Sequence, residues 1–118
     1  NVSVRPHEIF VREGLDVYME MPITFSQAAL GATIVVPTLT GNVNLKIPSG
    51  TQTGTKFKLN GKGIRNSRTL ETGDQYVIVN IVTPTKLSSE QKELFKKLSQ
   101  TNEMSESVFS KIKKFFKN

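Results

Sequence analysis

His7 is the only histidine of the chain and the first residue whose type could support acid–base chemistry. Imidazole titrates near neutral pH, which suits a general base. No serine or cysteine nucleophile pattern and no carboxylate pair accompanies it, and the chain contains no cysteine. A structural histidine is therefore the favoured interpretation. We predict no catalytic residue, no metal-ligand set and no enzymatic activity.

Small polar residues from Ser49 to Lys56 form a second candidate, because they superficially resemble a phosphate-binding loop. The Gly-Lys-Ser/Thr ending is missing, and strand-like residues rather than a helix follow. Without a helix N-terminus, the amides of an anion site are not assembled, so a tight turn is predicted. Gly61-Lys62-Gly63 is too short for a nucleotide fingerprint. Glu71 and Asp74 carry no sign of a paired acid and base.

The charge of the chain is the third feature with chemical consequences. Sixteen basic against ten acidic residues give a net charge of +6, which favours anionic partners. Stacking aromatics between the basic residues are lacking, since Phe57 is expected to point inward. A dispersed, solvated charge is the plainer interpretation, and a basic nucleic-acid-binding β-domain is the alternative function. Its candidate face consists of Lys46, Lys56, Lys58, Lys62, Arg65 and Arg68.

Length and composition limit what the elements around these residues can be. A chain of 118 residues suits one domain with a modest core. No apolar run is long enough to cross a bilayer. The absence of cysteine excludes disulfides and thiolate metal sites and fits a reducing compartment. Because residue 1 is Asn rather than Met, we expect the chain to be a piece of a longer protein.

Alternating apolar residues predict a mainly β fold. In the stretch from Asp16 to Ile23, Val17, Met19, Met21 and Ile23 share one face, and similar alternation marks 43–47 and 57–59. β-Branched residues predict a strand over 33–36. The stretch 75–82 is apolar on both faces, which is typical of a central strand.

Three helices are predicted beside the strands. Thr24 or Ser26 can cap a short helix that ends near Gly31. Ser88 and Gln91 form a capping-box pattern ahead of an apolar stripe that runs from Leu87 to Leu98. A final amphipathic helix is expected from about residue 105. The predicted fold class is a small antiparallel β-sandwich with one short helix, followed by C-terminal α-helices.

The order of these motifs resembles the C-terminal part of the DnaJ family of J-domain co-chaperones. The resemblance rests on PHEIFVREGLDVYMEMPITFSQAALGATIVVPTLTGNVNLKIPSGTQTGTKFKLNGKGI, followed by GDQYVIVNIVTPTKLSSEQKELFKKL, and covers nearly the whole chain. The tail SVFSKIKKFFKN is similar to the aromatic, lysine-rich tail of bacterial members. The resemblance implies the last strand of a preceding client-binding domain at 1–8, a second client-binding β-domain at 9–84, a dimerisation helix at 85–100, and a joint with an amphipathic C-terminal helix at 101–118.

The resemblance also implies which residues act. By analogy with the family's first client-binding domain, two strands border a client groove. Candidate client contacts are Met19, Met21, Ile34 and Val36, because flexible methionine suits a promiscuous surface; the alternative is that they are core. Dimer contacts are expected at Leu87, Leu94, Phe95 and Leu98. The last helix is expected to pack through Val108, Phe109, Ile112, Phe115 and Phe116, against its own domain or a twin subunit rather than a membrane.

The expected function is non-catalytic binding of unfolded polypeptide by a homodimer. An open sheet edge pairs with extended clients, and the parent protein delivers them to a DnaK-type chaperone in the cytoplasm. This sequence carries no His-Pro-Asp motif, no Gly/Phe-rich linker and no cysteine repeats. Stimulation of ATPase activity and zinc binding are therefore expected of the parent protein, and no cofactor is expected here.

Overall fold

The computed structural model describes residues 9–101 of the chain. The chain divides into two compact units, Asn1–Thr83 and Pro84–Asn118. The last strand of a preceding domain expected at 1–8, His7 and the final helix lie outside the described residues, and the four-part domain organisation stays a prediction. The elements are, in order, β1 (Val11–Glu13), β2 (Asp16–Ile23), α1 (Phe25–Leu30), β3 (Ala32–Thr38), β4 (Gly41–Ile47), β5 (Lys56–Leu59), β6 (Gln75–Ile81) and α2 (Ser89–Ser99).

The strands of the first unit form two sheets. The larger sheet has the order β1-β2-β6-β5, and the smaller is the antiparallel hairpin of β3 and β4. The mainly β fold class and the interior position of β6 are confirmed. Pairing is antiparallel for β1–β2 and β5–β6, whereas β2 and β6 run parallel, from Val17 opposite Gln75 to Ile23 opposite Ile81. The larger sheet is therefore mixed, a detail that the alternation pattern did not contain.

The core lies between the inward faces of the two sheets. The predicted alternation of β2 is confirmed, since Val17, Met19 and Ile23 are buried. Burying one aliphatic side chain of this size stabilises the fold by roughly 1.5–3 kcal/mol. The buried cluster consists of Met19, Ile23, Ala28, Ile34, Val36, Leu45, Ile47, Val77 and Val79. Because these side chains face inward, alternate residues of β2 and β6 must face outward.

Gln75 connects the two sheets inside this core. Its side chain is fully buried, and its Nε2 donates to the Pro37 carbonyl at 2.9 Å and lies 3.4 Å from the Met19 sulfur. A buried amide without such a partner would destabilise the fold. The hydrogen bond therefore fixes β6 against β3 as well as against its own sheet neighbours.

Two glycines hold the start of β2 against the connection between β5 and β6. The Ile64 amide donates to the Leu15 carbonyl at 2.7 Å, and Gly63 donates to the Gly73 carbonyl at 2.9 Å. A Cβ on Gly63 or Gly73 would overlap the Leu15 carbonyl oxygen. Only glycine allows this close backbone approach, which sets the relative position of β2 and β6.

Both predicted capping patterns within the described residues are confirmed. Thr24 caps α1, with Thr24 Oγ1 accepting from the Gln27 amide at 3.1 Å and the Gln27 side chain accepting in return. Ser88 and Gln91 form the same capping box at the start of α2. Each cap satisfies amides that lack partners in the first helical turn, which stabilises a helix by about 1 kcal/mol.

Candidate apolar binding groove

A groove lies on the outer face of the larger sheet. The register of the strands places Val11, Tyr18 and Tyr76 on this face, with Ile78 opposite Glu20 on β2. A cavity of about 470 Å³ opens here. It is lined by Ile9, Val11, Tyr18, Met19, Glu20 and Ile78. Pockets of this size with mostly apolar walls and few polar groups are typical of binding sites.

The apolar walls of the groove are accessible from solvent. Val11 is 68% exposed and Ile9 is 48% exposed, whereas Tyr18 and Ile78 are half-buried. Phe10 points the other way and packs against the core. Phe10 therefore anchors the chain at the start of β1, and its neighbours Ile9 and Val11 line the groove. Contiguous apolar surface of this kind marks sites where another molecule binds.

Two tyrosines form one end of the outer face. The rings of Tyr18 and Tyr76 stack, with centroids 4.8 Å apart and planes inclined by 18°. Lys56 extends from β5 over both rings, with Nζ 5.7 Å from the Tyr18 centroid and 5.2 Å from that of Tyr76. Desolvation raises the pKa of the Tyr18 phenol, and the negative charge of Glu13 adds to the effect. Tyr18 is therefore neutral at physiological pH.

Glu20 is the acidic group of the groove. Its Oε1 accepts a hydrogen bond from Asn80 Nδ2 at 3.0 Å. Glu20 and Asn80 lie on adjacent strands, β2 and β6, so this bond orients the carboxylate across the outer face. Glu20 itself is exposed. The carboxylate is thus positioned beside apolar walls and open to a ligand.

The edge of β2 beside the groove is only partly covered. β1 pairs with Asp16–Tyr18, and the part of the chain that the structure describes supplies no partner on that side for the rest of β2. Val17 donates toward β6, and backbone groups alternate between the two sides of a strand. The backbone of Glu20 therefore faces the open side, whereas Pro22 offers only a carbonyl there.

The four predicted client contacts lie mostly in the core. Met19 is 5% exposed and lines the groove, while Met21 is half-buried and packs against the core. Ile34 and Val36 on β3 are buried, Val36 completely. Direct client contact by these side chains stays a prediction. Sequence reasoning missed Val11, Glu20 and Ile78; the apolar character of both faces of β6 is a signal that could have found Ile78.

The predicted dimer contacts lie in the second unit. Leu94, Phe95 and Leu98 share one face of α2 and are exposed by 57%, 37% and 48%, while Leu87 before the helix is half-buried. Their role in dimerisation stays a prediction. The packing residues predicted for the last helix lie outside the described residues: Val108, Phe109, Ile112, Phe115 and Phe116.

The predicted turn at 49–56 is confirmed, since the Thr55 amide donates to the Gln52 carbonyl at 3.2 Å. The amides of Gly50 and Thr51 both donate to the Ala28 carbonyl, at 2.8 and 3.0 Å, and the Gly54 amide donates to Val79. These amides are therefore not directed at an anion. Asp74 likewise has structural partners, since it accepts from the Gly61 amide at 2.8 Å and pairs with Lys58 at 3.5 Å.

The six basic residues of the nucleic-acid alternative do not share one face. Lys46 is on the outer face of β4, because its neighbours Leu45 and Ile47 are buried in the core. Lys56 and Lys58 project from the outer face of the other sheet, on the far side of the core, and Lys58 pairs with Asp74. Lys62, Arg65 and Arg68 lie in the connection between β5 and β6.

Within residues 9–101, no three or more Asp, Glu, His or Cys side chains are grouped so as to hold a metal ion. No helix within the same residues has the length and apolarity needed to span a membrane.

Fold and groove together define a small β-sandwich domain with an apolar groove on its outer face. The family model of the DnaJ C terminal domain matches residues 1–84. The chain therefore belongs to the DnaJ C-terminal domain family, which confirms the resemblance drawn from the sequence.

Curated relatives extend the similarity beyond the matched domain. A chaperone protein DnaJ of Bacillus mycoides is 55% identical over 98% of this chain, which covers 32% of that protein. Those of Bacillus cereus and Bacillus anthracis are each 54% identical over 98% of this chain, covering 31% of the relative. The chain thus spans about a third of the length of the curated relatives it matches.

Proposed function

We propose that this chain is the client-binding and dimerising part of a DnaJ-type co-chaperone and has no catalytic role. The observation that carries the proposal is the apolar groove beside an open segment of β2. An unfolded polypeptide exposes both apolar side chains and unpaired backbone groups. The groove offers an apolar surface to those side chains and, beside it, unpaired strand backbone to those backbone groups. Neither interaction needs a catalytic group.

Binding takes the form of a short strand addition. A client segment lies beside β2 in line with β1 and pairs with the backbone of Glu20. Pro22 lacks an amide hydrogen, so the ladder cannot extend far along β2. Apolar client side chains on the outer face then enter the groove between Val11 and Ile78. Backbone pairing with so few fixed contacts tolerates many client sequences.

Each groove binds weakly, because a client loses conformational freedom and only a small area is buried. Dimerisation through the exposed face of α2 compensates for this weakness. Leu94, Phe95 and Leu98 form a stripe that a second copy can cover. Two linked grooves can raise the apparent affinity for a long client by roughly 10²–10⁴ where the geometry allows both to engage.

The remaining partners belong to the longer protein. We propose that the parent protein delivers clients to a DnaK-type chaperone in the cytoplasm and holds zinc in a cysteine-rich module. The cysteine repeats and the His-Pro-Asp motif on which the proposal bases these roles are not among the residues of this sequence. The chain's own share is client capture and the spacing of two grooves.

A matched pair of valine variants tests the groove. Val11 and Val35 are exposed by 68% and 56% on the outer faces of different sheets. Val11→Asp places a charge in the groove, and Val35→Asp places the same charge elsewhere. Exposed substitutions of this kind change the free energy of unfolding by about 0.5 kcal/mol or less. Suppression of aggregation of a denatured client enzyme should fall with Val11→Asp and persist with Val35→Asp. Equal activity of both variants contradicts the proposal.

A further inference from the structure

We infer that Glu20 makes the groove selective for client segments that carry a lysine or arginine next to their apolar anchor. The inference rests on the proposed binding of extended clients. It concerns the chemistry of the client rather than the existence of the site.

The carboxylate of Glu20 is held in place before any client arrives. Asn80 Nδ2 donates to Oε1 at 3.0 Å, which leaves the second oxygen for a ligand. Within residues 9–101, no lysine or arginine nitrogen lies within 4.0 Å of a carboxylate oxygen of Glu20. The salt bridge formed within these residues joins Lys58 and Asp74 instead. A carboxylate without a cation in a groove wall favours a cationic ligand.

The charges around the groove are arranged asymmetrically. Glu13 and Asp16 lie on the same outer face as Glu20, at the β1–β2 edge of the sheet. Lys56 lies two strands away, with Ile78 between, and its ammonium group stands over the tyrosine rings. Among the described residues, the outer face of that edge is therefore acidic, whereas Arg12, opposite the buried Val17, lies on the other face. The whole chain has a net charge of +6.

Strand geometry determines which client residue Glu20 meets. A client residue directly opposite Glu20 has its side chain on the same face, with Cβ atoms roughly 4.5–5.5 Å apart. A lysine or arginine at that position can donate to the free carboxylate oxygen. Side chains two residues away on the client lie on the same face and can enter the apolar groove. One client segment can therefore satisfy both the acidic and the apolar parts of the site.

Three dye-labelled peptides test the inference with the full 118-residue chain. They share an extended sequence with aliphatic anchors and differ at one position, which is Lys, Gln or Glu. Fluorescence anisotropy should give the tightest binding for the Lys peptide, about three- to tenfold tighter than for the Gln peptide, with the Glu peptide weakest. Added salt should reduce the differences.

Glu20→Gln keeps the shape of the side chain and removes its charge. This variant should bind all three peptides with about the same affinity as wild type binds the Gln peptide. Glu71→Gln, which removes one charge from an exposed loop, should leave the preference for Lys unchanged. Client binding without a Lys preference, or a preference that survives Glu20→Gln, overturns the inference and leaves the proposed function intact. No binding of any peptide overturns both.

Discussion

Tyr18 and Tyr76 stack across the parallel strands β2 and β6, with ring centroids 4.8 Å apart. The two rings form one end of the outer face that carries the groove. They are also the only tyrosines in a chain without tryptophan. Every tyrosine signal of the protein therefore reports on this face.

The raised pKa of Tyr18 predicts how stability depends on pH. Desolvation and the nearby Glu13 carboxylate raise it above the ordinary value of 10.0 in the folded state. The unfolded chain therefore loses this proton first as the pH rises. The associated stabilisation is fully present below pH 10 and is lost as the pH rises above it. Urea denaturation across this range should show a steeper loss of stability for wild type than for Tyr18→Phe, and parallel losses would contradict the assignment.

The glycines beside Leu15 predict a large difference between two alanine substitutions. A Cβ on Gly73 would overlap the Leu15 carbonyl, whereas a Cβ on Gly50 meets nothing within 4 Å. Gly50 has a φ of +81°, so Gly50→Ala should destabilise the fold by about 1–2 kcal/mol through backbone strain alone. Gly73→Ala should lower the free energy of unfolding by more, roughly 3 kcal/mol or above, or prevent folding. Equal costs in chemical denaturation would show that the backbone contact at Leu15 is not needed.

The apolar face of α2 predicts a dimer that a single charge disrupts. Phe95→Asp places a carboxylate within the stripe formed with Leu94 and Leu98. Lys96→Asp introduces the same residue on the opposite face of the helix and serves as the control. Sedimentation at micromolar concentration should give a dimer for wild type and Lys96→Asp and a monomer for Phe95→Asp. A monomeric wild type would refute dimerisation through this chain.

Much of the fold could be predicted because alternation and capping are local signals. The bounds of β2 match the alternating run from Asp16 to Ile23, and both capping boxes form as the sequence indicates. Alternation cannot identify which strands are neighbours, however. The parallel pairing of β2 with β6 joins residues 58 positions apart at Val17 and Gln75, and only the packed core determines it.

The candidate site was harder to predict for the same reason. Alternation places Tyr18 and Glu20 on the polar face of β2, whereas the family resemblance implies client contacts at the inward-facing methionines. Only the neighbouring strands turn that face into a groove, because Val11 and Ile78 flank it from β1 and β6.

Leu70, with a φ of 65° at an exposed position, is a further feature that no sequence pattern indicated.

The most direct test of the proposed function is to locate a bound client by methyl NMR. An unlabelled peptide from a denatured client should shift the methyl resonances of Val11 and Ile78, which line the groove, in a saturable way. Val35, exposed on the other sheet, should stay unchanged. Shifts at Val35 without shifts at Val11 and Ile78 would contradict the groove as the client site.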